Sequence, residues 1–296
     1  MTADESPDGT TAEAGAEATA DPPLLTLRDG LTRVVDTADR LAEVCERIAS
    51  GSGPVAIDAE RASGYRYSSR AYLIQLRREG AGTFLVDPIP FGSLPGLQEA
   101  LDGTEWILHA ATQDLACLAE VGLRPRQLFD TELAARILGL PRVGLAAVVE
   151  HYLGLSLAKE HSAVDWSTRP LPEPWLRYAA LDVEVLNELR NLMGVDLAAQ
   201  GKSEWARQEF TSLLTWAPTE RVDPWRRTSG MNTLRSRRSV AIVRELWYAR
   251  DDIARDRDTS IGRVLPDAAL VEIAKAVPST AADLPRGHRA IARYGR

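Results

Sequence analysis

Two cysteines, Cys45 and Cys117, are all that 296 residues contain. That is too few for a disulfide framework or a thiolate zinc centre, and each sits in an apolar pattern of helical spacing, so both read as reduced core thiols. No run of about 18 consecutive apolar residues occurs, which excludes a membrane-spanning helix. The N-terminus has no basic segment followed by an apolar one; no secretory signal is read, and the cytoplasm is the expected compartment. Residues 1–25 lack lysine and arginine altogether. They carry six acids (Asp4, Glu5, Asp8, Glu13, Glu17, Asp21) with little to bury, the composition of a disordered tail. Nothing suggests an organic cofactor.

What remains is globular. Hydrophobic residues make up 45% and charged residues 26%, and the length suits about two domains. The net charge of −7 by itself argues against a nucleic-acid partner, but the charge is unevenly placed. Residues 26–218 hold 19 bases and 26 acids, whereas residues 219–296 hold 16 bases and 10 acids, with Arg226, Arg227, Arg235, Arg237 and Arg238 close together.

Apolar periodicity predicts a helix over 36–50, then strands at 55–57, 72–76 and 83–86 in an antiparallel meander. A helix at 94–101, a strand at 106–109 and a helix at 113–121 follow, an α/β alternation. From Thr131 the pattern is helical, over 131–138, 145–153, one long helix at 173–192, and 203–214. Pro218, Pro224 and Gly230 break the pattern and mark residues 216–230 as a linker. Helices at 240–255 and 266–276, and the start of a third at 284–294, form a small all-α unit over 231–296, which reads as shortened because the chain stops at Arg296.

Three segments carry acids in suggestive places. VAIDAE puts Asp58 and Glu60 two residues apart at the end of an apolar strand, hence on one face. Two adjacent carboxylates repel unless water or a divalent cation compensates, and they are the hard oxygen ligands that Mg²⁺ or Mn²⁺ prefers. LHAATQDLACL places Asp114 near the start of a helix, where an acid also suits the helix dipole. LRYAALDVEVL places Tyr178 and Asp182 one turn apart on one helix. Each has an ordinary structural explanation alone. His109, at a strand end, reads as a local hydrogen-bonding residue and is not assigned catalysis.

Together, D-x-E on a strand, a later Asp, and Y-x-x-x-D on a helix resemble the tyrosine-bearing branch of the DEDD exonuclease superfamily. VAIDAE, AYLIQL, LHAATQDL and DWSTRPLPEPWLRYAALDVEVL are more closely similar to bacterial ribonuclease D across residues 30–215. The segment 238–274 resembles the HRDC helical domain that follows the nuclease in that family. The resemblance implies a ribonuclease H-like mixed-sheet exonuclease domain over 26–215, then an HRDC-like helical domain. It implies a 3′-to-5′ exoribonuclease releasing 5′-mononucleotides from RNA 3′ ends such as tRNA precursors. Asp58, Glu60, Asp114 and Asp182 would hold two divalent metal ions, with Tyr178 orienting the attacking water.

Where many relatives have Thr, Ala59 stands between the two acids, which removes a hydroxyl and no carboxylate. A carboxylate pocket repels phosphate, so bases elsewhere must grip the strand. Arg61, Arg66 and Arg70, with Tyr65 and Tyr67 to stack on bases, are one candidate; the cluster from Arg226 to Arg238 is another. Lys159, Trp166 and Arg169 either touch substrate or lock the long helix. A DNA exonuclease on the same scaffold and a silent nucleic-acid-binding adaptor are the competing readings, and single-stranded DNA is a further possible partner. The presence of all four acids disfavours the adaptor. A monomer with no membrane partner is expected.

Overall fold

The computed structural model describes residues 22–158, 163–219, 221–280 and 283–284. At the centre is β1 (Ser52–Arg61), flanked by β2 (Ala71–Glu79) and β4 (Glu105–Leu108). β3 (Gly82–Val86) lies beyond β2 and β5 (Gln127–Asp130) beyond β4, giving the order β3-β2-β1-β4-β5. The meander β1-β2-β3 is antiparallel, while β1, β4 and β5 run parallel. This is the mixed sheet that the resemblance implies.

Both faces of the sheet are covered, so β1 reads VAI without alternation and Val55, Ala56 and Ile57 are fully buried. Val55, Ile57, Ala59, Trp106 and Leu108 face α1 (Ala38–Ser50), α2 (Pro95–Leu101) and α3 (Leu115–Glu120) through Val44, Ile48, Leu97, Leu101 and Leu118. Ala56, Ile107 and Phe129 face the other layer, α4 (Thr131–Leu138), α5 (Leu145–Leu153), α7 (Leu186–Ala199) and α8 (Ser203–Leu213). Strand alternation therefore sends Asp58 and Glu60 to the Ala56 side.

The segment expected as one helix over 173–192 is two, α6 (Glu173–Glu184) and α7, broken at Val185. No glycine or proline marks the break. Glu184, buried on the sheet, accepts the Arg28 backbone N–H at 3.2 Å and lies 3.3 Å from the Arg77 guanidinium. β5 is not predicted from the sequence: β4, equally short, shows three consecutive apolar residues (WIL), whereas QLFD in β5 has only two between polar ends.

Residues 22–25, grouped by composition with the acidic tail, join the fold: Leu25 is buried and its N–H donates to Ser156 O at 2.8 Å. The rest of that stretch, to residue 21, lies outside the described residues, as does all but Leu284 of the helix expected over 284–294. The basic end forms α9 (Arg237–Asp256), α10 (Ile261–Val264) and α11 (Asp267–Ala276), packed through Ile242, Leu246, Ala269 and Ile273. Buried Arg250 fixes α9 to α11 by donating to Leu265 O at 2.7 Å and Asp267 Oδ1 at 2.8 Å. The expected linker is partly structured, since Pro224–Arg227 is a 3-10 turn that buries Trp225. Among the described residues, no helix is long and apolar enough to cross a membrane.

Candidate active site

The site is built where β1, the β4–α3 connection and α6 meet. Asp58 and Glu60 enter from β1, and Asp182 enters from α6 one turn after Tyr178. One oxygen from each of Asp58, Glu60 and Asp182 lies within 4.8 Å of the others. Asp114 is outside that tight group but lines the same cavity of about 260 Å³, together with Tyr178, Arg61 and His109. Ala59 packs into the opposite core, so a hydroxyl there would be carried away from the carboxylates.

Asp114 is placed by a residue that the sequence reading missed. β4 ends at Leu108, Ala110 turns through a left-handed conformation (φ 59°), and a 3-10 turn at Ala111–Gln113 delivers Asp114. Left-handed alanine is unfavourable and needs outside support. Buried Asp130 gives it, accepting Ala110 N–H at 3.1 Å and Ala111 N–H at 2.8 Å. The same carboxylate caps α4 by accepting Glu132 N–H at 2.9 Å and Leu133 N–H at 3.1 Å. The string FDTEL carries a signal for the cap, an Asp just before a helix, but none for the second loop.

His109 Nδ1 lies 2.9 Å from Thr131 Oγ1, whose hydroxyl donates to Leu108 O at 3.2 Å. Burial lowers the imidazole pKa. A neutral ring donating from Nδ1 fits both contacts, so His109 is tied to the scaffold as its strand-end position implied.

Electrostatics set the chemistry. Burial, partly offset by the Ala59 N–H and Arg61, raises Asp58 to about 6. Burial and then the charges of Asp58, Asp182 and Asp114 raise Glu60 to about 10. Asp114 and Asp182 are pushed well above the usual carboxylate range, first by burial and then by Asp58. Four such groups cannot all be ionised side by side without added positive charge. An all-oxygen donor set of this kind fits hard divalent cations. Tyr178 is also raised, by burial and then by Asp182, and shares a hydrogen bond with that carboxylate.

The expected strand-gripping residues separate. Arg61 alone of the β1–β2 loop set enters the cavity. The others meet the C-terminal helices and their approach: Tyr67 Oη donates to Asp251 Oδ2 at 3.0 Å, Arg70 lies 3.9 Å from Asp258, and Arg263 sits 4.5 Å over the Tyr65 ring. Arg66 donates to Ser167 Oγ at 2.8 Å. Tyr65 and Tyr67 are thus engaged by protein, which corrects their reading as open platforms for bases. Arg226, Arg227, Arg235, Arg237 and Arg238 are exposed, although Arg226 is paired with Asp223 at 2.9 Å.

Arg169 is a lock. It grips Asp87 with two nitrogens at 2.6 and 2.9 Å and donates to Tyr72 O and Trp166 O. Trp166 is fully buried, 5.7 Å from the Trp175 ring; Lys159 lies outside the described residues. A larger cavity of about 860 Å³ between β5, α7 and α8 holds none of the four carboxylates.

Residues 32–198 match the 3′-5′ exonuclease family and residues 239–296 the HRDC domain family. Over 265 residues the chain is 34% identical to the ribonuclease D of Jannaschia sp. (strain CCS1), covering 86% of this chain and 68% of that protein. Its fold is similar to the crystal structure of a protein from Bifidobacterium adolescentis, with 46% identity, a TM-score of 0.87, and coverage of 91% of this chain and 67% of that one. It is also similar to Escherichia coli RNase D, an exoribonuclease involved in structured RNA processing. That match has 30% identity, a TM-score of 0.68, and coverage of 89% and 72%.

Proposed function

Because this chain belongs to the ribonuclease D family and is a 3′-to-5′ exoribonuclease, we propose that its four-carboxylate cavity hydrolyses RNA 3′ ends with two divalent cations, Mg²⁺ or Mn²⁺. The observation that carries this reading is the approach of the Asp58, Glu60 and Asp182 oxygens to within 4.8 Å. Asp58, Glu60 and Asp182, with Asp114 beside them in the same cavity, would hold the cations. Bound there, such cations would supply the Lewis acidity that activates water and neutralises the transferring phosphate.

The residues themselves do three things. They concentrate negative charge where cations are needed, keep the site partly desolvated, and orient the water through the Tyr178 hydroxyl. Burial and the neighbouring acids raise the pKa of Tyr178, and the phenol directs water by hydrogen bonding. The new bond joins the water oxygen to phosphorus, the bond to the 3′ oxygen of the penultimate nucleotide breaks, and a 5′-mononucleotide leaves.

The substrate proposed is the 3′ end of a structured RNA such as a tRNA precursor, by analogy with the E. coli enzyme of the same family. Exposed Arg227, Arg235, Arg237 and Arg238 supply phosphate affinity away from the acids, and the protein acts as a cytoplasmic monomer. Digestion of a labelled structured RNA and its DNA counterpart, with and without EDTA, tests the reading. Mononucleotides from the RNA alone, abolished by EDTA, are expected; metal-independent cleavage overturns it.

A further inference from the structure

Four ionised carboxylates carry four negative charges, which two divalent cations balance, so an RNA phosphate entering the cavity brings one more negative charge. Among the described residues, Arg61 is the one lysine or arginine lining that cavity. It ends β1, where the pairing with β2 shifts register between Glu60 and Arg61. Alternation puts it on the α3 side of the strand, opposite Glu60, and its Nε lies 3.8 Å from Asp114 Oδ1 with the side chain 28% exposed. At that distance the pair is loose, without the geometry of a forked ion pair. The guanidinium therefore faces both an acid of the site and the cavity mouth.

Resting on the reading above, we infer that Arg61 is a phosphate-binding residue that exchanges partners: it lies against Asp114 in the cation-free protein and turns to the RNA phosphate when divalent cations take that carboxylate. Arg61 and the cations compete for one carboxylate, so each weakens the other. Release of the guanidinium then couples cation binding to RNA binding, and the coupling is reciprocal. The field of Arg61 reaches Asp58, Glu60 and Asp114, opposing the burial that raises each of them. Cations that replace it are thus entering a site whose repulsion Arg61 had been relieving.

The test uses the full chain and two measurements: Mn²⁺ affinity by calorimetry without RNA, and KM and kcat for a single-stranded RNA at saturating Mn²⁺. Arg61→Gln is expected to bind Mn²⁺ several-fold tighter, on the order of 3- to 10-fold, while its KM rises about 10-fold and kcat changes little. Arg61→Lys keeps the charge and loses the fork, so its Mn²⁺ affinity stays near wild type and its KM rises less. If Arg61→Gln does not fold, Arg61→Lys carries the test, and a KM equal to wild type overturns the inference. Unchanged or weaker Mn²⁺ affinity in folded Arg61→Gln, or an unchanged KM, also overturns it while leaving the nuclease reading intact. A wild-type protein that neither binds Mn²⁺ nor cleaves RNA overturns both.

Discussion

The carboxylate of Asp130 accepts the Ala111 backbone N–H at 2.8 Å, joining the end of β5 to the turn that presents Asp114. Since the same group also caps α4, Asp130→Ala leaves several buried N–H donors without partners. The expected cost is about 2–4 kcal/mol of stability by denaturant titration. In whatever fraction remains folded, the left-handed Ala110 loses its restraint and cleavage falls with it. A variant as stable and active as wild type contradicts this role.

Tyr178→Phe removes the hydroxyl while keeping the ring. Losing the hydroxyl that directs the water should lower kcat by about 10²-fold, with little change in melting temperature or Mn²⁺ affinity. A kcat within twofold of wild type would remove Tyr178 from the chemistry.

The raised acids make stability depend on pH in an uncommon direction. Glu60 sits near 10 against an ordinary 4.5, and Asp58 near 6 against 3.8. Groups raised by folding stabilise fully below their unfolded pKa values and lose that contribution as pH climbs through the folded ones. The cation-free protein should therefore lose stability between about pH 4 and 10 from these groups. Mn²⁺ should raise the melting temperature more at pH 8 than at pH 5, with protons released on binding. Melting curves with EDTA and with Mn²⁺ across that range check it. Equal Mn²⁺ stabilisation at both pH values argues against shared ligation by these acids.

Tyr67 and Asp251 test the join between the nuclease and the helical unit. Their 3.0 Å hydrogen bond is backed by Arg255, which lies 5.5 Å over the Tyr67 ring. Tyr67→Ala should speed amide exchange in α9 about 10-fold without altering exchange in β1 and β4. Unchanged exchange in α9 means the loop does not hold that unit.

The carboxylates were legible because each lies in a local pattern: Asp58 and Glu60 at strand spacing, Tyr178 and Asp182 at helix spacing. Their convergence rested on resemblance, since no local rule brings Asp114 to Asp58. What stayed hidden depends on distant partners. Val185 carries no breaker, and the α6–α7 break forms where Glu184 meets Arg28 and Arg77. The loop holding Tyr65, Tyr67 and Arg70 has the Tyr- and Arg-rich composition that suits either nucleic acid or a protein interface, and sequence alone does not choose. β5, with two apolar residues between polar ends, lacks the apolar run that made the equally short β4 legible.

The most direct measurement is digestion of a 5′-labelled single-stranded RNA by wild type and Asp182→Asn in Mn²⁺, with circular dichroism confirming the fold of both. Wild type should shorten the RNA one nucleotide at a time from its 3′ end, and Asp182→Asn should lose at least about 10²-fold in rate. A folded Asp182→Asn protein that cleaves at the wild-type rate would show that the acids gathered between β1 and α6 are not where the reaction takes place.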